Sequence, residues 1–286
     1  MNKWHLVITI ITAACVIAVV YLIRLNSTPA ITYFPIDNNT TFSKSETQLQ
    51  LFSEKGKDNY EITWESDSIT NMPIYLRQDV SLLYDNGRLK GAKTKWTQDT
   101  DTIQLREKLF HEDSSLFQSI SFHHGEIHRS SNDIKSIHRM SSDYLYVIDS
   151  PTTALDSFKE PHNNYEKEWK DLLDRTTKQQ LLYHWHQLFH YFHINPDNYL
   201  SVPLTDLVHY NTKPLPSLTQ AQTNKIIGQL WEGLYKNYVI PVVNTTNEEL
   251  NSYIPIILFD KEQKHLLVLY EINGKKEKLI QNYSFQ

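Results

Sequence analysis

Residues 80–96 read VSLLYDNGRLKGAKTKW. Two strand-like runs flank Asn86-Gly87, a pair that accepts the two positive φ angles of a type I′ turn and is the strongest short-range hairpin signal. Upstream, NYEITWES at 59–66 alternates Tyr60, Ile62 and Trp64 against Glu61, Thr63 and Glu65. Downstream, DTIQLREKLF at 101–110 alternates through Ile103, Leu105 and Leu109, and LFQSISFHH (116–124) and YLYVID (144–149) add two more candidate strands. Period-two patterns joined by short turns predict an antiparallel meander, not alternating β and α units.

The period changes near Asn163. Trp169, Leu172, Leu173, Leu181, Leu182, Trp185, Leu188, Phe189 and Phe192 recur at helical spacing, and Thr177–Gln180 has capping-box form, so this stretch reads as one helix or two adjoining ones. A proline-bearing loop is expected at 201–217, a second helix at 219–238, and a closing three-stranded meander that turns at Asn273-Gly274.

The N-terminus has a different character. Residues 6–23 form an 18-residue run without a charge, only Thr9 and Thr12 interrupting the aliphatic side chains. As a helix it would cover ~27 Å, close to the ~30 Å hydrocarbon core of a bilayer. Cys15 lies inside the run and Val16 continues it, which argues against a lipid-attachment cysteine. The sequence therefore predicts an uncleaved single-pass anchor contacting the lipid bilayer through residues 6–23. Lys3 ahead of the run gives a slight positive-inside preference, and the absence of cysteine from residues 25–286 suits an oxidising exterior, so the remainder is expected to be extracytoplasmic in a bacterial cell envelope. The resulting fold expectation is α+β: an anchor (1–27), a tether (28–46), a β-rich region (47–150), and a region of two helices plus a meander (151–286), the last two either separate or one continuous domain.

Outside residues 1–30 there remain 26 basic and 33 acidic residues, a net charge of −7 that argues against nucleic acid as a partner. The seven glycines form neither a dinucleotide fingerprint nor a phosphate loop, no serine sits in a Gly-x-Ser-x-Gly elbow, and thiolate chemistry is closed to the outer part. Two histidine sets remain as candidate metal ligands. His186, His190 and His193 share a helical face, although they also border the apolar stripe of Trp185, Phe189 and Phe192. In FHHGEIH, strand alternation groups His124, Glu126 and His128, unless Gly125 bulges the strand. No cofactor is indicated. The expectation is a non-catalytic binding or regulatory protein acting by contact with an envelope protein, the alternative being a metal-dependent hydrolase that uses one of the histidine sets.

Overall fold

A computed structural model of the protein describes residues 31–52, 59–244 and 251–283, all within the compact unit Ile31–Gln286. Six strands form the first sheet: β1 (Phe42–Phe52), β2 (Tyr60–Asp85), β3 (Arg88–His111), β4 (Ser115–Ser130), β5 (Asp133–Ile148) and β6 (Asp156–Phe158). Their order is β1-β2-β4-β5-β6, with β3 on the other edge of β2. The long β2 serves two partners along one edge. Its first half, from Glu61 to Thr70, pairs with β1, and its second half, from Leu76 to Asp85, pairs with β4. β3 follows both halves, with a register shift between Ile69 and Ile74.

That arrangement brings β1 round to β5, and the sheet nearly closes as a barrel. At one end the closure uses backbone: Asp37 N–H donates to Ser136 O at 2.9 Å and Ser136 N–H to Pro35 O at 3.0 Å, a parallel bridge. Farther along, β1 and β5 have no ladder between them and meet through side chains. Thr47 Oγ1 lies 2.6 Å from Ser141 Oγ, and Leu49 N–H donates to Asp143 Oδ2 at 2.7 Å. One part of the interior is apolar, built from Leu49, Tyr60, Ile62, Trp64, Leu83, Phe117, Leu145 and Val147. The rest is polar.

A second layer covers the outer faces of β2 and β4. It contains helix α1 (Asn164–Tyr191), helix α2 (Gln220–Leu234), a π-helical turn (Tyr235–Val239), the short α3 (Ile240–Val243), and a sheet of order β10-β9-β8-β7. Those strands are β7 (Tyr199–Pro203), β8 (Ile256–Asp260), β9 (His265–Ile272) and β10 (Lys275–Asn282). Val80, Leu82, Tyr84, Ile120 and Phe122 face Trp185, Trp231 and Tyr238 in one apolar cluster. Asn163 caps α1 by accepting from Glu166 N–H. Thr177, at a spacing that suggests a helix start, lies buried within this single 28-residue helix.

Three expectations are corrected. The α+β assignment gives way to a mostly β fold, with 51% of the described residues in strands and 26% in helices, because the strands curl round an interior of their own and do not form an open meander. The segment from Ile31, expected as a tether, packs against the sheet, with Ile31 buried. The spanning helix expected over residues 6–23 lies outside the described residues, and among the described residues no helix is long and apolar enough to cross a membrane. The single-pass extracytoplasmic placement is therefore not carried forward, and the expected anchor and bilayer contact lie with residues 6–23, outside the described residues.

The two Asn-Gly turns yield a paired prediction. Gly87 and Gly274 have φ of +82° and +81°, but a Cβ on Gly87 would also lie 2.8 Å from Leu181 Cδ2, while one on Gly274 would meet nothing within 4 Å. Gly274→Ala should cost ~1 kcal/mol of backbone strain, and Gly87→Ala should cost ~1 kcal/mol more for displacing packed α1. Urea unfolding measures both, and equal losses would contradict the close packing of α1 on the turn.

Candidate functional site at the barrel seam

Strand alternation turns Arg77, Asp79 and Ser81 of β2, Ser121 and His123 of β4, Ser141 of β5 and Thr47 of β1 into the barrel. They meet there. His123 Nδ1 is 2.6 Å from Asp79 Oδ2 and His123 Nε2 is 2.8 Å from Ser141 Oγ, an Asp–His–Ser relay drawn from three strands. Asp79 and His123 are fully buried, and Ser141 is 8% exposed. Ser68 Oγ donates to Asp79 Oδ2 at 2.6 Å, so that oxygen is an acceptor and Nδ1 presents its hydrogen to it.

Arg77 closes the charged end of the network. Its Nη1 donates to Asp101 O at 2.6 Å and to Thr70 Oγ1 at 3.2 Å, its Nη2 meets the Ser68 hydroxyl and lies 3.7 Å from Asp79 Oδ1, and its guanidinium covers the Phe42 ring. Burial lowers the Arg77 pKa, and the Asp79 charge beside it works in the opposite direction. Beyond Ser141 runs a chain of hydroxyls. Thr47 Oγ1 donates to Ser121 Oγ at 2.7 Å, Ser121 and Ser81 are 2.7 Å apart, and Trp64 Nε1–H donates to Ser81 at 2.9 Å.

The seam between β1 and β5 is the entrance. A groove of about 400 Å³ runs over it, with Thr47 and Ser141 among its lining residues and Glu46, Gln48, Asp143 and Lys159 around them. Along β5 the backbone N–H and C=O of Ser136 face the closing segment, and those of Met140 face outward to the Asn211 side chain, which bonds both. Period-two alternation turns the Ser142 backbone the same way, into the groove. The N–H that follows Ser141 in sequence therefore points toward the groove edge of β5, and Ser142 lines the groove.

The sequence-derived ligand sets fall elsewhere. His124 is buried under the second layer near Phe122, while Glu126 bonds His128 at 3.1 Å and His128 stacks on Tyr75. Gly125 pairs with Arg77 and Ile137 in unbroken register, so no bulge forms. His186 and His190 line a surface groove with Tyr183, Tyr191 and Lys276, but His193 lies beyond the end of α1 at φ +53° and leaves their face. Among the described residues no group of three or more His, Cys, Asp or Glu is placed to hold a metal ion. Asp79, His123 and Ser141 carry no local motif. Their one sequence signal is alternation, which puts His123 opposite in face to the His124 set.

Two histidines packed beside Phe122, His124 buried and His138 half-buried, generate a pH prediction. Desolvation pushes the imidazole of His124 down to about 3 from an ordinary 6.5, and that of His138, which touches α2 at Gly228, down to about 4. Both stay neutral when folded and take up protons on unfolding, so their contribution is complete above pH 6.5 and is lost as pH falls toward 4. The pair should remove up to ~2.7 kcal/mol of stability per pH unit in that window. Urea unfolding of His124→Gln should show about half that slope, and an unchanged slope would contradict the assignment.

No protein family, curated protein or solved structure matches this chain, and its seam geometry stands as the basis for a functional reading.

Proposed function

We propose that the protein is a serine-dependent hydrolase acting on small ester or similarly activated acyl groups, with Ser141 as nucleophile, His123 as general base and Asp79 as its orienting partner. The observation that carries this reading is the pair of His123 contacts, 2.6 Å to Asp79 and 2.8 Å to Ser141, with the serine bordering an open groove. Ser141 Oγ attacks the acyl carbon while its proton passes to His123 Nε2. Asp79, held by Ser68 and Arg77, keeps Nδ1–H directed at itself and stabilises the charge that forms on the ring. The Ser142 N–H, turned into the groove, is the donor positioned for the oxygen of the tetrahedral intermediate. His123 then protonates the departing alcohol, and water releases the acyl group from Ser141 by the same steps in reverse. Burial of Asp79 and Arg77 supports a functional role, since an apolar interior of equal volume would avoid a desolvation cost of several kcal/mol per ion.

The test is modification of Ser141 by a fluorophosphonate, located by peptide mass spectrometry, together with p-nitrophenyl acetate hydrolysis. Ser141→Ala should abolish labelling, and His123→Gln should slow both reactions about a hundredfold or more. Folded wild-type protein that leaves Ser141 unmodified would refute the proposal.

A second reading, binding by protein contact, draws on a separate patch. Phe52 and Phe110 are 51% and 61% exposed and flank Glu61 on one cross-strand row. In that reading a complex would weaken on Phe110→Ser while acyl hydrolysis stayed absent.

A further inference from the structure

We infer that Thr47 is a positioning residue that holds Ser141 at rest, and that moving its hydroxyl hydrogen switches the serine on; this inference rests on the acyl-transfer reading. Thr47 has one hydrogen and two close oxygen neighbours, Ser121 Oγ at 2.7 Å and Ser141 Oγ at 2.6 Å. With the hydrogen on Ser121, the short contact to Ser141 is a bond only when Ser141 donates to Thr47. Ser141 then has no hydrogen for His123, and Nε2 must supply the one between them. An imidazole bearing hydrogens on both nitrogens has no lone pair with which to act as base.

Reversing the chain gives the other state. Trp64 donates to Ser81, Ser81 to Ser121, Ser121 to Thr47, Thr47 to Ser141, and Ser141 to His123 Nε2, with Nδ1–H still on Asp79. Each step in that order spans a distance observed, with Ser121 turning its hydroxyl to reverse the bond that Thr47 now donates to it, and the two states differ by hydroxyl rotations plus one proton, passed from the buried Nε2 through Ser141 to the groove. Thr47 is the one member of the chain on β1, the strand joined to β5 at this point without a backbone ladder. An acyl group entering the groove meets Thr47 and Ser141 together, so its arrival is suited to shift the Thr47 hydroxyl and free the serine.

The experiment compares fluorophosphonate labelling rates at Ser141 in the full chain carrying Thr47→Val, Thr47→Ser or Ser121→Ala. Valine removes the competing acceptor, and alanine at Ser121 leaves Thr47 only Ser141 to donate to. Both should label faster than wild type, by about a hundredfold where the base becomes fully available. Thr47→Ser keeps the hydroxyl and should match wild type, a rescue that general loosening of the seam would not give. If Thr47→Val fails to fold, Ser121→Ala reads the same switch from the far side of Thr47. Labelling of wild type as fast as of Thr47→Val and Ser121→Ala would overturn the inference and leave the hydrolase reading intact. No labelling of Ser141 in any of the proteins would overturn both.

Discussion

The barrel interior must satisfy an ionised Asp79–Arg77 pair that no water reaches, and much of the surrounding arrangement follows from that constraint. Isolated charges in such a place cost several kcal/mol each, so they persist only with close partners, and here each ion keeps one atom without a hydrogen bond, Arg77 Nε and Asp79 Oδ1. Ser68, Thr70 and the Asp101 carbonyl serve Arg77, while Ser68 and His123 serve Asp79. His123 hands the demand on to Ser141, and Ser141 to Thr47, Ser121, Ser81 and Trp64. The indole N–H, a donor without acceptor capacity, ends the chain at the boundary with the apolar half of the barrel.

The backbone makes this convergence possible by using β2 twice. Because one edge of β2 pairs with β1 and then with β4, Ser68 before the register shift and Asp79 after it come to face each other across the interior. The same fold-over leaves β1 and β5 side by side without a ladder. Closed barrels protect edges by pairing them, and here the protection is piecemeal: a parallel bridge at Ser136, the Asn211 amide on Met140, β6 on Tyr146–Ile148, and side chains between. The stretch left to side chains is where the groove opens over Ser141. The site is thus a consequence of incomplete closure.

Local chemistry in the sequence was informative where it depended on neighbours in the chain. Asn86-Gly87 and Asn273-Gly274 adopt the positive φ angles their hairpins need, and the spacing of Leu181, Trp185 and Leu188 marks the buried face of α1. Curvature was not legible. Alternation in β2 and β4 assigns one face to the core and the other to solvent, but a curled sheet under a helical layer buries both, so Asp79, Ser121 and His123 look like surface residues in the sequence. β1 was missed because FSKSETQLQLF is polar along most of its length, with Leu49 its only fully buried apolar side chain. The metal candidates meet a related limit: a shared face on one element says nothing about what the rest of the fold brings near it.

The central claim is that Asp79 orients His123 through Nδ1–H, since without that tautomer Ser141 has no base. Nitrogen-15 NMR of imidazole-labelled protein, assigned by comparison with His123→Gln, reads the protonation of each ring nitrogen directly. The account predicts a protonated Nδ1 whose hydrogen is strongly downfield and shifts upfield in Asp79→Asn. A His123 ring with Nδ1 unprotonated at neutral pH would contradict it.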